Sequence, residues 1–145
     1  MKRGVILAAL AVCACSPGKP EVPQLALQAI GYFDVTQGKL YGSGCNFVAK
    51  DGGMGAVFLA QAARGVIKID DHLVSLPVAS GAPELPQGAH GRYAGALYAA
   101  TLAAVPGGKH KELGVVTVFD ARLTITDARG QTVYDAPGAA QCKPM

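Results

Sequence analysis

The chain contains no tryptophan, and only 16% of its 145 residues are charged. Its 13 basic and 10 acidic residues give a net charge of +3, to which Lys2 and Arg3 contribute two positive charges. The rest of the chain is therefore close to neutral. This balance predicts no basic field for nucleic acid or for an anionic surface. No apolar run reaches the roughly 20 residues that a membrane-spanning helix needs.

The one long apolar run lies at the N-terminus. Residues 4–12 (GVILAALAV) are uncharged and follow directly after Lys2 and Arg3. A short basic segment before an apolar run of this length is typical of a secretory signal peptide. We therefore expect residues 1–14 to be a signal peptide and the protein to be exported.

The residues after this run resemble a bacterial lipobox. Val12, Cys13 and Ala14 occupy its aliphatic, loosely restricted and small positions, and Cys15 the position of the lipidated cysteine. The resemblance implies cleavage before Cys15 and acylation there, with palmitate among the chains. Ordinary secretion and an uncleaved anchor are the alternatives. Because Ser16 replaces the Asp that favours inner-membrane retention, we expect an outer-membrane lipoprotein of the cell envelope that faces the periplasm.

Two further cysteines, Cys45 and Cys142, lie 97 positions apart. In an oxidising compartment such a pair is usually a disulfide, and a loop of this length would stabilise the fold by about 4–5 kcal/mol. A reactive thiol near a histidine is the alternative. Upstream, residues 15–24 contain three prolines and a glycine, which predicts a flexible tether before a single domain at residues 25–145.

Alternating apolar residues predict a mostly β domain. The candidate strands cover residues 41–49, 56–60, 65–69, 73–76, 115–126 and 131–134, with turns at 70–72 and 127–130. Residues 92–105 are ambiguous between helix and strand, and we favour a single strand with Tyr93, Leu97 and Val105 on one face. About seven strands of this spacing predict an antiparallel barrel or sandwich.

Few residues suggest chemistry. Asp70, Asp71 and His72 could offer metal ligands, but adjacent residues of a turn point apart, so we predict a solvated turn. His90 and His110 lie in Gly- and Lys-rich segments and are predicted to be exposed. Glycines 52, 53 and 55 lack the lysine of a phosphate-binding loop. We therefore predict no catalytic residue, metal or cofactor. The aromatic residues Tyr93, Tyr98 and Phe119 would line a ligand cavity if the barrel were open, and otherwise fill its core.

Several segments together resemble small uncharacterised bacterial lipoproteins. The features are Cys45-x-Phe47, the Ile67-Lys68-Ile69-Asp70 hairpin, the late Ile125-Thr126-Asp127 hairpin with Gly130, and the terminal Cys142. They cover about residues 45–142 and imply a fold without implying an activity. The chain departs from that pattern at Asp71, where glycine is common.

A second resemblance is to the small β-barrel lipoproteins that inhibit C-type lysozymes. Export, a barrel, a late hairpin and a terminal cysteine are shared, and Ser80-Gly81-Ala82 is similar to their inhibitory Ser-Gly loop. The aromatic residue expected downstream of that loop is not in place. Three functions thus remain open: a non-catalytic envelope protein that binds a partner or supports the envelope, a lysozyme inhibitor, and a small enzyme or ligand carrier.

Overall fold

The computed structural model describes residues 23–144, which form nine strands, one short helix and one 3₁₀ turn at Pro86–Gly88. The helix is α1 (Tyr32–Gln37). The strands are β1 (Gly44–Ala49), β2 (Phe58–Gln61), β3 (Arg64–Ile69), β4 (His72–Pro77), β5 (Arg92–Ala94), β6 (Tyr98–Ala104), β7 (His110–Leu113), β8 (Val116–Asp127) and β9 (Thr132–Lys143).

All strand pairs are antiparallel, and they form one sheet in the order β4-β3-β2-β1-β9-β8-β6-β5, with β7 beside β8. The sheet curls until its two edge strands meet. At this seam Val78 bridges Tyr93, and the Ala79 N–H donates to the Arg92 carbonyl at 3.1 Å. The predicted antiparallel β fold is confirmed as a nearly closed barrel.

The number of strands is nine, not about seven. Residues 92–105, predicted as one strand, form a hairpin of β5 and β6, because Gly95 turns the chain and its N–H donates to the Tyr98 carbonyl at 2.8 Å. The residues around His110, predicted as a loop, form β7 on the free edge of the first half of β8. The prediction that residues 92–105 form β structure was correct, and the prediction that they form one continuous strand was wrong.

The hairpin also changes which residues of this segment face the core. Tyr93 is fully buried, but Leu97 lies in the turn with 66% of its surface exposed. In β6 the buried residues are Ala100 and Leu102, which lie on the face opposite to the predicted one. A turn resets the two-residue alternation of a strand, so the period cannot be extended across Gly95.

The clearest alternation in the sequence, in β8, is confirmed. Phe119, Ala121, Leu123 and Ile125 are all buried inside the barrel. The predicted turn after Asp127 is present, with Gly130 at φ 79°. The returning strand β9 is longer than expected and runs to Lys143.

Strand β9 contains Pro137, and the hydrogen bonds between β9 and its neighbouring strands tolerate this proline. The last pair between β1 and β9 is Ala49 with Gly138, so Pro137 lies just beyond it. Its carbonyl accepts the Lys50 N–H at 3.0 Å on that side. Because the N–H and C=O of a strand residue point to the same side, the missing N–H removes no bond to β8.

Side chains from all parts of the sheet fill the barrel interior. Its largest fully buried residues include Phe47, Phe58, Tyr93, Ile67, Leu102, Leu123 and Ile125. Two glycines allow the packing to close. A Cβ at Gly65 would lie 2.8 Å from the Tyr93 ring, and one at Gly138 would overlap the Val48 carbonyl and the Phe47 ring.

The segment before β1 covers the outer face of β2 and β3. Ile30 and Leu40 pack there against Leu59 and Val66, and all four are buried. Both faces of these strands are therefore apolar, which accounts for the unbroken run of residues 56–60. Helix α1 lies in this covering segment. Sequence reasoning missed it because it has six residues, all outside the buried set.

The chain joins the barrel at one end. The Leu25 N–H donates to the Val133 carbonyl at the start of β9, and Gln28 binds Asp71 in the β3–β4 turn. We call this the tether end; it also carries the β1–β2, β5–β6 and β8–β9 connections. The far end carries the β2–β3, β4–β5 and β7–β8 connections. Within residues 23–144, no helix is long and apolar enough to cross a membrane.

Candidate functional site: a groove in the barrel wall

A groove on the outside of the barrel has a volume of about 710 Å³. Its floor is one row of the sheet, in which Val48 of β1 pairs with Ala139 of β9, and Ala139 pairs with Asp120 of β8. The next row, Ala49, Gly138 and Ala121, also lines the groove, although the Ala49 and Ala121 side chains belong to the buried core. The groove exists because the middle strand of the three, β9, places only the methyl group of Ala139 on the outer face at this level.

Two loops form the walls of the groove. On one side is the β1–β2 connection, where Met54 is 97% exposed. The other wall is formed by residues 105–109, a loop that contains Pro-Gly-Gly and connects β6 to β7, both of which pair with β8. Its base is fixed at Asp120: the Val105 N–H donates to the Asp120 carbonyl and the Asp120 N–H to the Lys109 carbonyl, each at 2.9 Å.

The groove combines an apolar surface with two ammonium groups. Val48, Met54 and Val105 supply the apolar surface, and the exposed residues Lys50 and Lys109 line the rim. Asp120 also lines the groove, and its Oδ2 accepts the Lys109 backbone N–H at 2.9 Å, so its carboxylate offsets part of the positive charge of the two lysines. The arrangement suits a partner with an apolar side and an anionic group.

A second, smaller cavity of about 440 Å³ adjoins the Ser80-Gly81-Ala82 segment. This segment is a tight turn in the β4–β5 connection at the far end, where the Ala82 N–H donates to the Ala79 carbonyl at 3.2 Å. Gly81 has φ 69°, which a side chain rarely adopts. Ser80 and Gly81 are exposed, and Arg92 and Thr101 also line the cavity.

The predicted disulfide is present. Cys45 and Cys142 are bonded, and both are buried in the barrel core. They occupy directly opposite positions of β1 and β9, which are neighbours in the middle of the sheet. The two cysteines are 97 positions apart in the sequence, so the link closes a loop that contains most of the domain. These cysteines are structural and are not available as nucleophiles. The predicted lipidation site, Cys15, lies outside the described residues.

The other sequence candidates are dispersed. Asp70 and Asp71 form a two-residue hairpin turn with φ 49° and 62°, and His72 begins β4. Aspartate tolerates the left-handed conformation that such turns need. Among residues 23–144, no group of three or more His, Cys, Asp or Glu side chains is placed to hold a metal. Glycines 52, 53 and 55 lie in the β1–β2 connection.

The two later histidines differ from each other. His110 is exposed in β7, stacked on Phe119, and its Nε2 lies 3.7 Å from Glu112. His90 is half-buried, not exposed, because its ring meets the edge of the Tyr93 ring. The predicted aromatic residues fill the core: Tyr93 and Phe119 are buried, and the partly buried Tyr98 packs against the core cluster.

The Tyr93 hydroxyl is part of this packing. It donates to the Gln61 carbonyl at 2.5 Å and accepts the His90 N–H at 2.9 Å. Burial raises the pKa of Tyr93 above its usual value, and the His90 bond opposes that effect. Burial also raises the pKa of Tyr134.

Two ion pairs account for the remaining pKa shifts. The hydrogen bond from Lys68 lowers the pKa of Asp34, and that from Arg122 lowers the pKa of Asp135. The same bond raises the pKa of Arg122. The lysines of the groove were not singled out by sequence reasoning. No local motif could have indicated them, because Lys50 and Lys109 are 59 positions apart in the sequence. Only the pairing of the strands places both at the same groove.

With this geometry described, the comparisons with known proteins add no relative: no family model, no curated protein and no solved structure matches the chain.

Proposed function

We propose that the protein is an exported, lipid-anchored binding protein of the cell envelope that holds a partner in its wall groove without catalysing a reaction. The observation that carries the proposal is the groove itself, which joins the apolar side chains of Val48, Met54 and Val105 to Lys50 and Lys109. The anchor follows from the resemblance of residues 12–15 to a lipobox, with the lipid on Cys15.

The filled interior supports a surface site. Phe47, Phe58 and Tyr93 meet inside the barrel, and the Phe58 and Tyr93 ring centroids are 5.7 Å apart. A ligand carrier needs an apolar cavity of several hundred Å³ that encloses most of the ligand. The described residues leave that volume on the outside of the barrel, where a partner protein or a chain segment has access.

The ionisable groups also favour binding over catalysis. Active sites are where unexplained pKa shifts collect. Here the shifts belong to Asp34 with Lys68, to Arg122 with Asp135, and to buried tyrosines, and none of these residues lines the groove. The groove lysines therefore serve as charged contacts for an anionic group of the partner.

The first test is site-specific photocrosslinking in intact cells of the native host. A photoreactive residue at position 54 lies on the groove wall, and one at position 113 is the matched control, since Leu113 is 62% exposed at the far end. We expect one reproducible partner from position 54 that is missing from position 113. Mass spectrometry of the N-terminal peptide tests the anchor separately, and an unmodified Cys15 would contradict it.

Variants then establish that the captured partner occupies the groove. Ala139→Phe fills the floor from an exposed position, and Lys50→Gln with Lys109→Gln removes the rim charge. We expect each change to weaken binding by about tenfold, which corresponds to about 1.4 kcal/mol. Lys143→Gln, outside the groove, serves as the charge control. Equal affinity of all variants would place the partner elsewhere.

The exposed Ser80-Gly81 turn favours a second candidate, an inhibitor of a C-type lysozyme-like hydrolase. In this reading the turn enters the active-site cleft of the hydrolase, and the cavity beside it accommodates the edge of the enzyme. Mixing the protein with lysozyme at micromolar concentration should abolish lysis, and Gly81→Ala should relieve the inhibition. Full lysozyme activity in the mixture would eliminate this candidate.

A further inference from the structure

Two adjacent aromatic side chains on α1 are exposed. Tyr32 and Phe33 have 77% and 75% of their surface accessible, and their rings meet edge to face with centroids 6.0 Å apart. Single exposed apolar residues are common, but a contiguous apolar patch usually marks a contact surface. The outward face of α1 carries no charge, since its one ionic residue, Asp34, turns to the barrel and binds Lys68.

The position of α1 relative to the start of the domain indicates what it contacts. Lys68 binds both the start of the domain and α1: its carbonyl accepts the Gln28 N–H at 2.9 Å, and its Nζ donates to Asp34 at 2.9 Å. The aromatic pair therefore lies close to the tether end. From Cys15, the ten residues 15–24 reach at most about 35 Å, so an anchor at Cys15 would keep this end of the barrel near the bilayer.

We propose that Tyr32 and Phe33 rest in the headgroup region of the membrane and set the orientation of the barrel, with its far end directed away from the bilayer. The inference rests on the proposed lipid anchor. Aromatic rings favour the interface between headgroups and hydrocarbon, and a short tether raises their effective concentration there. The contact orients the protein, while the lipid provides the attachment.

The absence of tryptophan from the chain allows a clean fluorescence test. Phe33→Trp places a single tryptophan in the proposed contact, and Leu113→Trp places one at the far end. Each mature acylated protein is reconstituted into phosphatidylcholine vesicles, with and without brominated acyl chains, after flotation has shown attachment. We expect brominated lipid to reduce the Phe33→Trp emission about twofold, with a blue shift, and to leave Leu113→Trp unchanged.

The outcomes separate the contact from the anchor. If both proteins float with the vesicles but their emissions respond alike, or only Leu113→Trp is quenched, the orientation is wrong and the anchor stands. If neither protein floats, the anchor and the inference fall together. Quenching of Phe33→Trp alone establishes the contact.

Discussion

Loss of the Cys45–Cys142 disulfide should be the most costly single change in the core. The link closes a loop between positions 97 apart. Because such a loop lowers the conformational entropy of the unfolded chain, it stabilises the folded state by about 4–5 kcal/mol. That is a large part of the 5–15 kcal/mol typical of a whole domain. Because β1 and β9 remain paired at six positions without it, the native sheet should survive, and the effect should arise mainly from the unfolded state.

The measurement is urea unfolding of the Cys45→Ala/Cys142→Ala double variant, followed by circular dichroism. With an m-value of about 1–3 kcal/mol per molar urea, the midpoint should fall by about 1.3–5 M. Reduction of the wild-type protein gives the same comparison with both sulfur atoms kept. Thr117→Ala is the control, because Thr117 lies opposite Cys142 on β8, and it should cost about 1 kcal/mol or less. A loss below 1 kcal/mol in the double variant would refute the loop-entropy reasoning.

Two further predictions concern polar groups. Tyr93→Phe should reduce the free energy of unfolding by about 2–4 kcal/mol, because a buried carbonyl and an N–H both lose their partner; a loss below 1 kcal/mol in calorimetry would show that water replaces the hydroxyl. Asp34→Asn should destabilise the protein near neutral pH. Its difference from wild type should shrink as pH falls below about 4 and disappear as pH passes through the folded-state pKa of Asp34, which the hydrogen bond from Lys68 holds below its usual value. A difference that persists unchanged at pH 2 would contradict a role for the charge.

Prediction from sequence succeeded where a local pattern was tied to one buried face. In β8, four alternate apolar residues identify the strand and its inward side, and Asp127 and Gly130 identify the turn that follows. It failed where two short strands share one pattern. Ala94 to Tyr98 contains no proline or paired turn residues, so the β5–β6 hairpin looked like one strand, and the inward face of β6 was assigned to the wrong side.

The candidate site was beyond local reasoning for a different reason. Val48, Ala139 and Asp120 become one row only when three strands are in register, and the small side chain of Ala139 then leaves a groove. Neither Lys50 nor Lys109 has a neighbour in sequence that marks it as a contact residue. Likewise, α1 is held by long-range contacts to Lys68, and its six residues carry little helical signal of their own.

The sequence alone determined the β class and the inward face of β8, because strand alternation is local. It also predicted the Cys45–Cys142 disulfide, once Cys13 was assigned to the expected signal peptide and Cys15 to the expected lipidation site. Only the tertiary structure decided the closure of the barrel at Val78 and Tyr93, the groove between two distant loops, and the exposure of Tyr32 and Phe33. Those features depend on the register between strands and on how the chain before β1 crosses the sheet, and both are settled by packing between residues far apart in the chain.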